Sequence, residues 1–132
     1  MKIVLTFGTF DIFHPGHEYY LREAKKYGDT LVTIIARDQT VEKIKGSSPR
    51  NNERYRKQKV EESGIPEKVV LGKLEDYYSC ITEEKADIIC LWYDQNHLVS
   101  WLEKFLEEYN LHVTIIRLEP FQAHKYKSSK LW

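Results

Sequence analysis

The sequence has 132 residues, 42% hydrophobic and 30% charged, which is the length and composition of one folded domain rather than of a disordered chain. Its 20 Lys and Arg side chains balance 20 Asp and Glu side chains, so it lacks the basic excess on which non-specific nucleic-acid binding depends. No apolar run reaches the roughly 18 residues of a membrane-spanning helix, and we expect residues 1–132 to form one domain in the cytoplasm, with no nucleic-acid or membrane partner.

Short apolar runs rich in β-branched residues alternate along the chain with segments of helical periodicity. We predict strands over residues 2–7, 30–36, 68–71, 86–92 and 112–118. We predict helices over residues 17–27, 52–63, 74–84 and 99–109, and a short final helix over residues 128–132. The alternation predicts an α/β fold, a single doubly wound Rossmann-like domain with a mostly parallel sheet of about five strands.

Two of the predicted helices show an apolar stripe at helical spacing. The stripe of the first helix consists of Tyr20, Leu21, Ala24 and Tyr27. The stripe of the fourth helix consists of Trp101, Leu102, Phe105 and Leu106. Gly28 and Gly64 follow the first and second helices, and we expect them to end those helices.

In a doubly wound sheet the ligand binds beyond the carboxyl ends of the strands, where the strand order reverses. We therefore expect functional residues in the loops that follow the predicted strands. The polar stretch over residues 45–52 is predicted to be the most mobile loop of the chain. Its composition is consistent both with a lid over the substrate and with a plain surface loop.

The loop after the first strand, residues 8–17, reads GTFDIFHPGH and carries the strongest chemical signal. His14 and His17 flank Gly16 where a helix begins. Glycine allows close approach of the backbone to a ligand, and the N–H groups of a helix start favour phosphate. Two imidazoles at this place can donate hydrogen bonds to phosphate oxygens and stabilise charge on a phosphoryl group during transfer. A metal-binding pair or a turn with incidental histidines would leave this combination unexplained.

The GTFDIFHPGH segment resembles the signature of the HxGH nucleotidylyltransferase superfamily, specifically its cytidylyltransferase-like branch. That branch includes cytidylyltransferases for glycerol 3-phosphate and related alcohols, and the archaeal FAD synthetases. Its members join the α-phosphate of a nucleoside triphosphate to a phosphorylated acceptor and release pyrophosphate. The resemblance implies that His14 and His17 contact the triphosphate and assist catalysis, and that the backbone at Thr9 and Phe10 lines its phosphates.

Charged residues near this loop and after the second strand match the family pattern as well. The resemblance implies that Lys45 assists catalysis and that Lys43, Lys45, Asp11 and Arg56 bind phosphate or the acceptor. Lysine suits this task because its charge sits on a flexible stem that can follow a moving phosphate. Taken alone, the two lysines would indicate a solvated basic turn, and Arg56 would be one charge of a polar helix surface.

Two later segments match the family in part. Asp94, after the fourth strand, is implied to contact the base or the ribose, while Trp92 stands where the family usually has glycine. Near the end of the chain, Ser128 and Ser129 occupy positions at which hydroxyls cap a final helix onto the nucleotide. The family's arginine of that motif is absent, and Lys125, or one of its neighbours His124 and Lys127, would supply the positive charge.

The runs ARDQTVEKIKG (residues 36–46) and YDQ (residues 93–95) resemble archaeal FAD synthetases more than cytidylyltransferases. The resemblance therefore implies transfer of AMP from ATP to FMN, with Trp92, Tyr93 and Phe121 as candidates for stacking on the flavin. CTP-dependent transfer to glycerol 3-phosphate or a similar alcohol is the alternative, and a non-catalytic nucleotide-binding module is a further one. We expect a divalent cation, Mg²⁺, carried by the nucleotide phosphates without a protein cage. The family also implies a homodimer.

Overall fold

The computed structural model of the chain describes residues 2–75, 78–92 and 95–119. The strands are β1 (Ile3–Gly8), β2 (Thr30–Ile35), β3 (Lys68–Leu71), β4 (Ile88–Leu91) and β5 (Thr114–Arg117). The helices are α1 (Pro15–Lys25), α2 (Asp38–Lys45), α3 (Glu53–Ser63), α4 (Ser79–Glu83) and α5 (Asn96–Glu108). Within these residues the strands form one sheet in the order β3-β2-β1-β4-β5, and every neighbouring pair is parallel. The predicted fold class is confirmed.

The centre of the sheet is buried on both faces, as near-continuous apolar strands require. Val4 and Leu5 of β1 pair in register with Leu31 and Val32 of β2, and none of the four is more than 2% exposed. Successive side chains of a strand point to opposite faces, so the two sides of the sheet carry separate apolar clusters.

Helices cover both sides of the sheet, and we name each side by its principal helix. On the α1 face, Tyr20 of α1 and Val60 of α3 belong to one apolar cluster. On the α5 face, Ile81 of α4 and Leu102 of α5 belong to the other. The strand order reverses between β1 and β4, and this places the ligand crevice of such a fold at the carboxyl ends of the central strands.

The first helix differs from its prediction at both ends. It begins at Pro15, whose fixed φ suits the first helical position, and it ends at Lys25. Tyr27 therefore lies beyond the helix and is 44% exposed, so its predicted place in the apolar stripe is wrong. A Cβ at position 28 would stand 2.6 Å from the Val4 side chain, which means that Gly28 is required by close approach to β1.

A helix, α2, forms over a segment for which the sequence pattern predicts neither a helix nor a strand. Val41 is its only fully buried residue, and Gly46 ends it with a φ of 78°. The third predicted helix is present only as the five residues of α4. The second predicted helix is present as α3 and ends at Gly64, with a φ of 70°, as expected.

The fourth predicted helix is present as α5, and its stripe is correct in part. Leu102 and Leu106 are buried, but Trp101 is 54% exposed, so its predicted place in the apolar stripe is wrong. The predicted final helix over residues 128–132 lies outside the described residues.

Candidate active site

His14 and His17 form a hydrogen-bonded pair at the N-terminus of α1. His14 is the N-cap residue, and its Nδ1 accepts a hydrogen bond from the Gly16 N–H at 3.1 Å. The Nδ1 of His17 accepts one from the His14 N–H at 3.3 Å. The two rings stack with their centroids 3.8 Å apart and their planes 20° from parallel. The sequence HPGH thus caps its own helix and fixes both imidazoles in one place.

These hydrogen bonds determine the chemistry that the two rings can offer. Because each Nδ1 accepts a hydrogen bond, the N–H of each neutral ring is on Nε2. Burial, with His14 and Lys45 nearby, lowers the pKa of His17 to about 3. Burial also lowers the pKa of His14. Near neutral pH both rings are therefore uncharged N–H donors, which is the state suited to hydrogen bonding with a phosphate oxygen.

The loop that leads to this pair is packed around Phe10. Phe10 is 3% exposed, has a φ of 53°, and contacts the His17 ring edge-on with centroids 5.1 Å apart. Phe13 stacks on the same His17 ring with centroids 5.7 Å apart. A Cβ on Gly8 would come within 2.5 Å of the Phe10 ring, so glycine there allows the phenyl group to fold back over the end of β1. Phe10 and Phe13 thereby fix the orientation of His17.

Arg56 is fully buried, and its guanidinium group connects the ends of β1 and β2. It donates to the backbone oxygens of Thr9 and Ala36, both at 2.8 Å, and to that of Asn51 at 2.9 Å. Its remaining bond is an ion pair with Asp38 at 2.6 Å. The predicted contact of Arg56 with phosphate stays a prediction, and its geometry is that of a side chain positioning the loop.

Asp11 connects the histidine loop to the chain that precedes α3. Its carboxylate accepts hydrogen bonds from the backbone N–H groups of Arg50 and Asn51 at 2.8 and 2.9 Å. Burial alone would raise the pKa of Asp11, but these two N–H groups, with Arg56 and Lys45, lower it below its ordinary value. The second half of the predicted mobile stretch is therefore anchored, whereas its first residues, 45–48, are exposed.

The two predicted lysines differ in where they lie. A cleft lies at the carboxyl edge of the sheet, and Lys45, in the last turn of α2, is among its lining residues. Lys43 is exposed and does not line this cleft. Three further cations line the cleft, Arg37 after β2, Lys73 after β3 and Arg50 before α3. Arg37 pairs with Glu53 at 2.9 Å, and Lys73 forms an ion pair at 3.1 Å with a glutamate of α4. Their place just after parallel strands is the sequence signal that would have identified them.

Gln95 and Trp92 shape the end of β4. The side-chain oxygen of Gln95 accepts the Trp92 N–H at 2.8 Å, and its amide nitrogen donates to the Phe7 carbonyl oxygen at 3.0 Å. Trp92 packs against Tyr20 of α1 with ring centroids 5.3 Å apart and also lines the cleft. The tryptophan that replaces the family's glycine thus packs on α1 and forms part of the cleft wall.

One cleft of about 850 Å³ at the carboxyl edge of the sheet contains these groups. Of the predicted residues, it is lined by Thr9, Phe10, Asp11, His14, His17, Lys45 and Trp92. Its other lining is largely apolar and includes Ile12 and Ile44, each more than half exposed. The arrangement can bind a polyphosphate at the start of α1 and an apolar group beside it.

Several predicted positions lie outside the described residues. These are Tyr93, Asp94, Phe121, His124, Lys125, Lys127, Ser128 and Ser129. Over the ranges that are described, no three His, Cys, Asp or Glu side chains come together as metal ligands. None of the helices in the described part of the chain has the length and apolar character that a membrane crossing requires.

A parallel α/β sheet with an imidazole pair capping its first helix, beside a cleft at the carboxyl edge, defines a domain of the doubly wound class. The chain belongs to the cytidylyltransferase-like family, whose family model matches residues 5–131. The resemblance on which the site residues were predicted is thereby confirmed.

Similar proteins of known name and structure include two FAD synthases. The FAD synthase of Aciduliprofundum boonei is 40% identical over 121 residues, which cover 92% of this chain and 80% of that protein. The FAD synthase of Archaeoglobus fulgidus is 42% identical over 112 residues, which cover 84% of this chain and 80% of that protein. The crystal structure of a lipopolysaccharide core biosynthesis protein from Thermoplasma volcanium has a TM-score of 0.86 and 35% identity, covering 92% of this chain and 99% of that one.

Proposed function

We propose that this protein is an FMN adenylyltransferase, which transfers AMP from ATP to FMN and releases pyrophosphate. The observation that carries the proposal is the pair of uncharged imidazoles at the start of α1, inside a cleft whose remaining wall is largely apolar. The two FAD synthases that cover most of the chain support the same reaction.

In this reaction a phosphate oxygen of FMN attacks the α-phosphorus of ATP. The bond between that phosphorus and the oxygen bridging to the β-phosphate breaks, and the bridging oxygen leaves with pyrophosphate. No covalent bond to the protein is needed, so the enzyme acts by positioning and by neutralising charge. The Nε2–H groups of His14 and His17 and the ammonium group of Lys45 are the donors that would stabilise this charge, because all three side chains line the cleft.

The cleft favours FMN over a small phosphorylated alcohol. Its wall includes Trp92, Leu98 and Trp101, whose apolar surface offers no acceptor for the hydroxyl groups of glycerol 3-phosphate. A flavin ring would cover such a wall and remove its apolar surface from water, which is favourable by roughly 25 cal/mol per Å². Apolar lining with a few polar groups for orientation is the usual composition of a small-molecule site.

The other predicted contacts belong to the same proposal. The backbone of Thr9 and Phe10 would line the phosphates, and Asp11, Lys43 and Arg56 would act on phosphate directly or through the loops that they hold. We further propose that Asp94, Lys125, Ser128 and Ser129 complete the nucleotide site.

Enzymes of this kind generally use a divalent cation, and we propose that Mg²⁺ enters with ATP. Asp11, a carboxylate that lines the cleft, already accepts two backbone N–H groups, which fits a metal held by phosphate oxygens rather than by the protein. When bound, the ion would screen the charge of the triphosphate and of the leaving pyrophosphate.

Pyrophosphate release with paired substrates tests the proposal. We expect release and FAD formation with ATP and FMN, and neither product with CTP and glycerol 3-phosphate. Release only with the CTP pair would establish the cytidylyltransferase alternative. Nucleotide binding without release from any pair would identify a non-catalytic binding module. A variant with His14 and His17 both replaced by Ala controls for a contaminating activity.

Homodimer formation and a cytoplasmic location stay predictions. Light scattering on the purified full chain measures the first, and cell fractionation with detection of the native protein measures the second.

A further inference from the structure

Trp101 departs from the apolar stripe to which the sequence assigns it. Leu102 and Leu106 of α5 are 0% and 7% exposed, whereas Trp101 is 54% exposed. Trp101 lines the cleft, and so does Leu98, which precedes it by three residues and therefore lies on the same side of the helix. This side of α5 is thus part of the cleft wall.

Trp101 and four further side chains form what we call the apolar lobe. The four are Phe7, Ile34, Tyr78 and Leu98, and all of them line the cleft and belong to the apolar cluster of the α5 face. The histidine pair begins α1, which packs on the opposite face of the sheet. The apolar lobe and the two imidazoles therefore lie on opposite sides of the sheet edge within one cleft.

Contacts beneath the apolar lobe keep its wall ordered. Tyr78 contacts Phe7 edge-on with ring centroids 6.3 Å apart and packs against Phe105 with centroids 5.7 Å apart. Ile34, at the end of β2, is 3% exposed and forms the floor. A wall that is already ordered loses little side-chain entropy when a ligand binds.

We infer that the apolar lobe binds the isoalloxazine ring of the acceptor, and that Trp101 stacks on this ring as a specificity-determining residue. The inference rests on the proposed transfer of AMP to FMN. The ring is flat and aromatic, and indole provides a large face for offset stacking. The phosphate of the acceptor then extends toward the sheet edge, where Lys45 and the histidine pair line the same cleft. The nucleoside of ATP lies on the side of the α1 face.

Steady-state kinetics of the full chain test the role of Trp101. We compare Trp101→Ala and Trp101→Phe with Tyr109→Ala, which removes another exposed aromatic from the end of α5 but lies outside the cleft lining. Stacking of a base on an aromatic side chain is worth about 1–3 kcal/mol, so the KM for FMN should rise about 5- to 150-fold in Trp101→Ala. The KM for ATP should stay unchanged. Trp101→Phe should keep most of the affinity, and Tyr109→Ala should match the wild type.

Riboflavin separates ring binding from turnover because it carries the ring without the phosphate. As an inhibitor competing with FMN, it should lose the same factor in Trp101→Ala. An unchanged KM for FMN and an unchanged riboflavin inhibition constant in Trp101→Ala would overturn the inference. A rise in the KM for ATP instead of the KM for FMN would also overturn it. Ile44 is the exposed apolar side chain that α2 contributes to the cleft, so a loss of FMN affinity in Ile44→Ala but not in Trp101→Ala would overturn the inference as well.

Light scattering tests whether a second copy of the chain, rather than the flavin ring, covers Trp101 in the apolar lobe. If Trp101→Ala changes the oligomeric state and leaves the KM for FMN unchanged, the indole belongs to a subunit interface and the inference fails. A wild-type protein that makes no FAD would defeat the proposed function itself. If the wild-type protein makes FAD and the Trp101→Ala variant binds FMN with equal affinity, only the inference that the apolar lobe binds the flavin ring is contradicted.

Discussion

The Nδ1 of His17 accepts the backbone N–H of His14, while the Nδ1 of His14 accepts the N–H of Gly16, so the helix cap and the candidate catalytic pair are one structure. The same residues begin α1 and line a common cleft with both imidazole rings. A substitution can therefore separate helix capping from catalysis only if the new side chain performs one of these two tasks and not the other.

His14→Asn provides that separation. Asparagine is a good N-cap residue and retains an acceptor for the Gly16 N–H, but it has no group at the position of Nε2–H. We expect kcat to fall by about 10²–10³-fold, because one donor to the developing charge is lost. The free energy of unfolding should stay near that of the wild type.

His14→Ala is the matched variant and loses the cap as well as the imidazole. Its free energy of unfolding should fall by about 1 kcal/mol more than that of His14→Asn. A His14→Asn enzyme with the wild-type rate would show that the ring has only a structural task.

The buried imidazole of His17 makes the stability of the fold depend on pH. An unfolded histidine titrates near 6.5, whereas the pKa of His17 in the fold is about 3. Between these values the unfolded chain binds more protons than the folded one. This contribution therefore lowers stability as the pH falls from 6.5 toward 3 and vanishes above 6.5.

Urea unfolding across this pH range, with His17→Gln as the control, measures the effect. The wild type should lose stability more steeply than the variant below pH 6.5. NMR titration of the ring should show no protonation near pH 5 in the free protein, and equal slopes for the two proteins would contradict the buried neutral state.

Replacing Arg56 tests whether it positions the loops or binds phosphate. Arg56→Met leaves the Thr9 and Ala36 carbonyl groups and Asp38 without their partner, and we expect the free energy of unfolding to fall by about 3 kcal/mol. Arg54→Met, on the exposed side of the same helix, is the control and should have almost no effect. Full stability of Arg56→Met with a raised KM for ATP would support direct phosphate binding instead.

Gly8→Ala tests the packing that orients His17. The added Cβ would lie 2.5 Å from the Phe10 ring, so this ring would have to shift and its contact with His17 would change. We expect kcat to fall by up to about 10²-fold, as a displaced catalytic group implies. Gly64→Ala, which strains a helix end outside the cleft, should lower stability but leave kcat unchanged, and equal kcat values for both variants would contradict the argument.

The sequence predicts well those features that local chemistry determines. The strands follow from β-branched runs, and the histidine loop follows from ten consecutive residues that end one strand and begin one helix. Helical periodicity does not distinguish a side chain of the core from one that lines a cleft, because both are apolar. For this reason the sequence places Trp101 in the same stripe as the buried Leu102, although Trp101 is exposed.

Contacts between distant parts of the chain were beyond local reasoning. Asp11 binds the backbone of Arg50, 39 residues away, and no local pattern links the two. The burial of Arg56 did leave a signal, since it lies four residues before the buried Val60 and therefore on the same face of α3. A short helix such as α2, with Val41 alone fully buried, leaves too weak a periodicity to be predicted.

Transfer of labelled AMP to FMN tests the central claim most directly. The full chain is incubated with FMN and ATP that carries radioactive phosphorus at the α-phosphate, and the products are separated. We predict that the label appears in FAD, with one unlabelled pyrophosphate released for each FAD formed, and that His14→Asn slows this transfer. Label that stays in ATP, while α-labelled CTP transfers its label to glycerol 3-phosphate, would contradict the account.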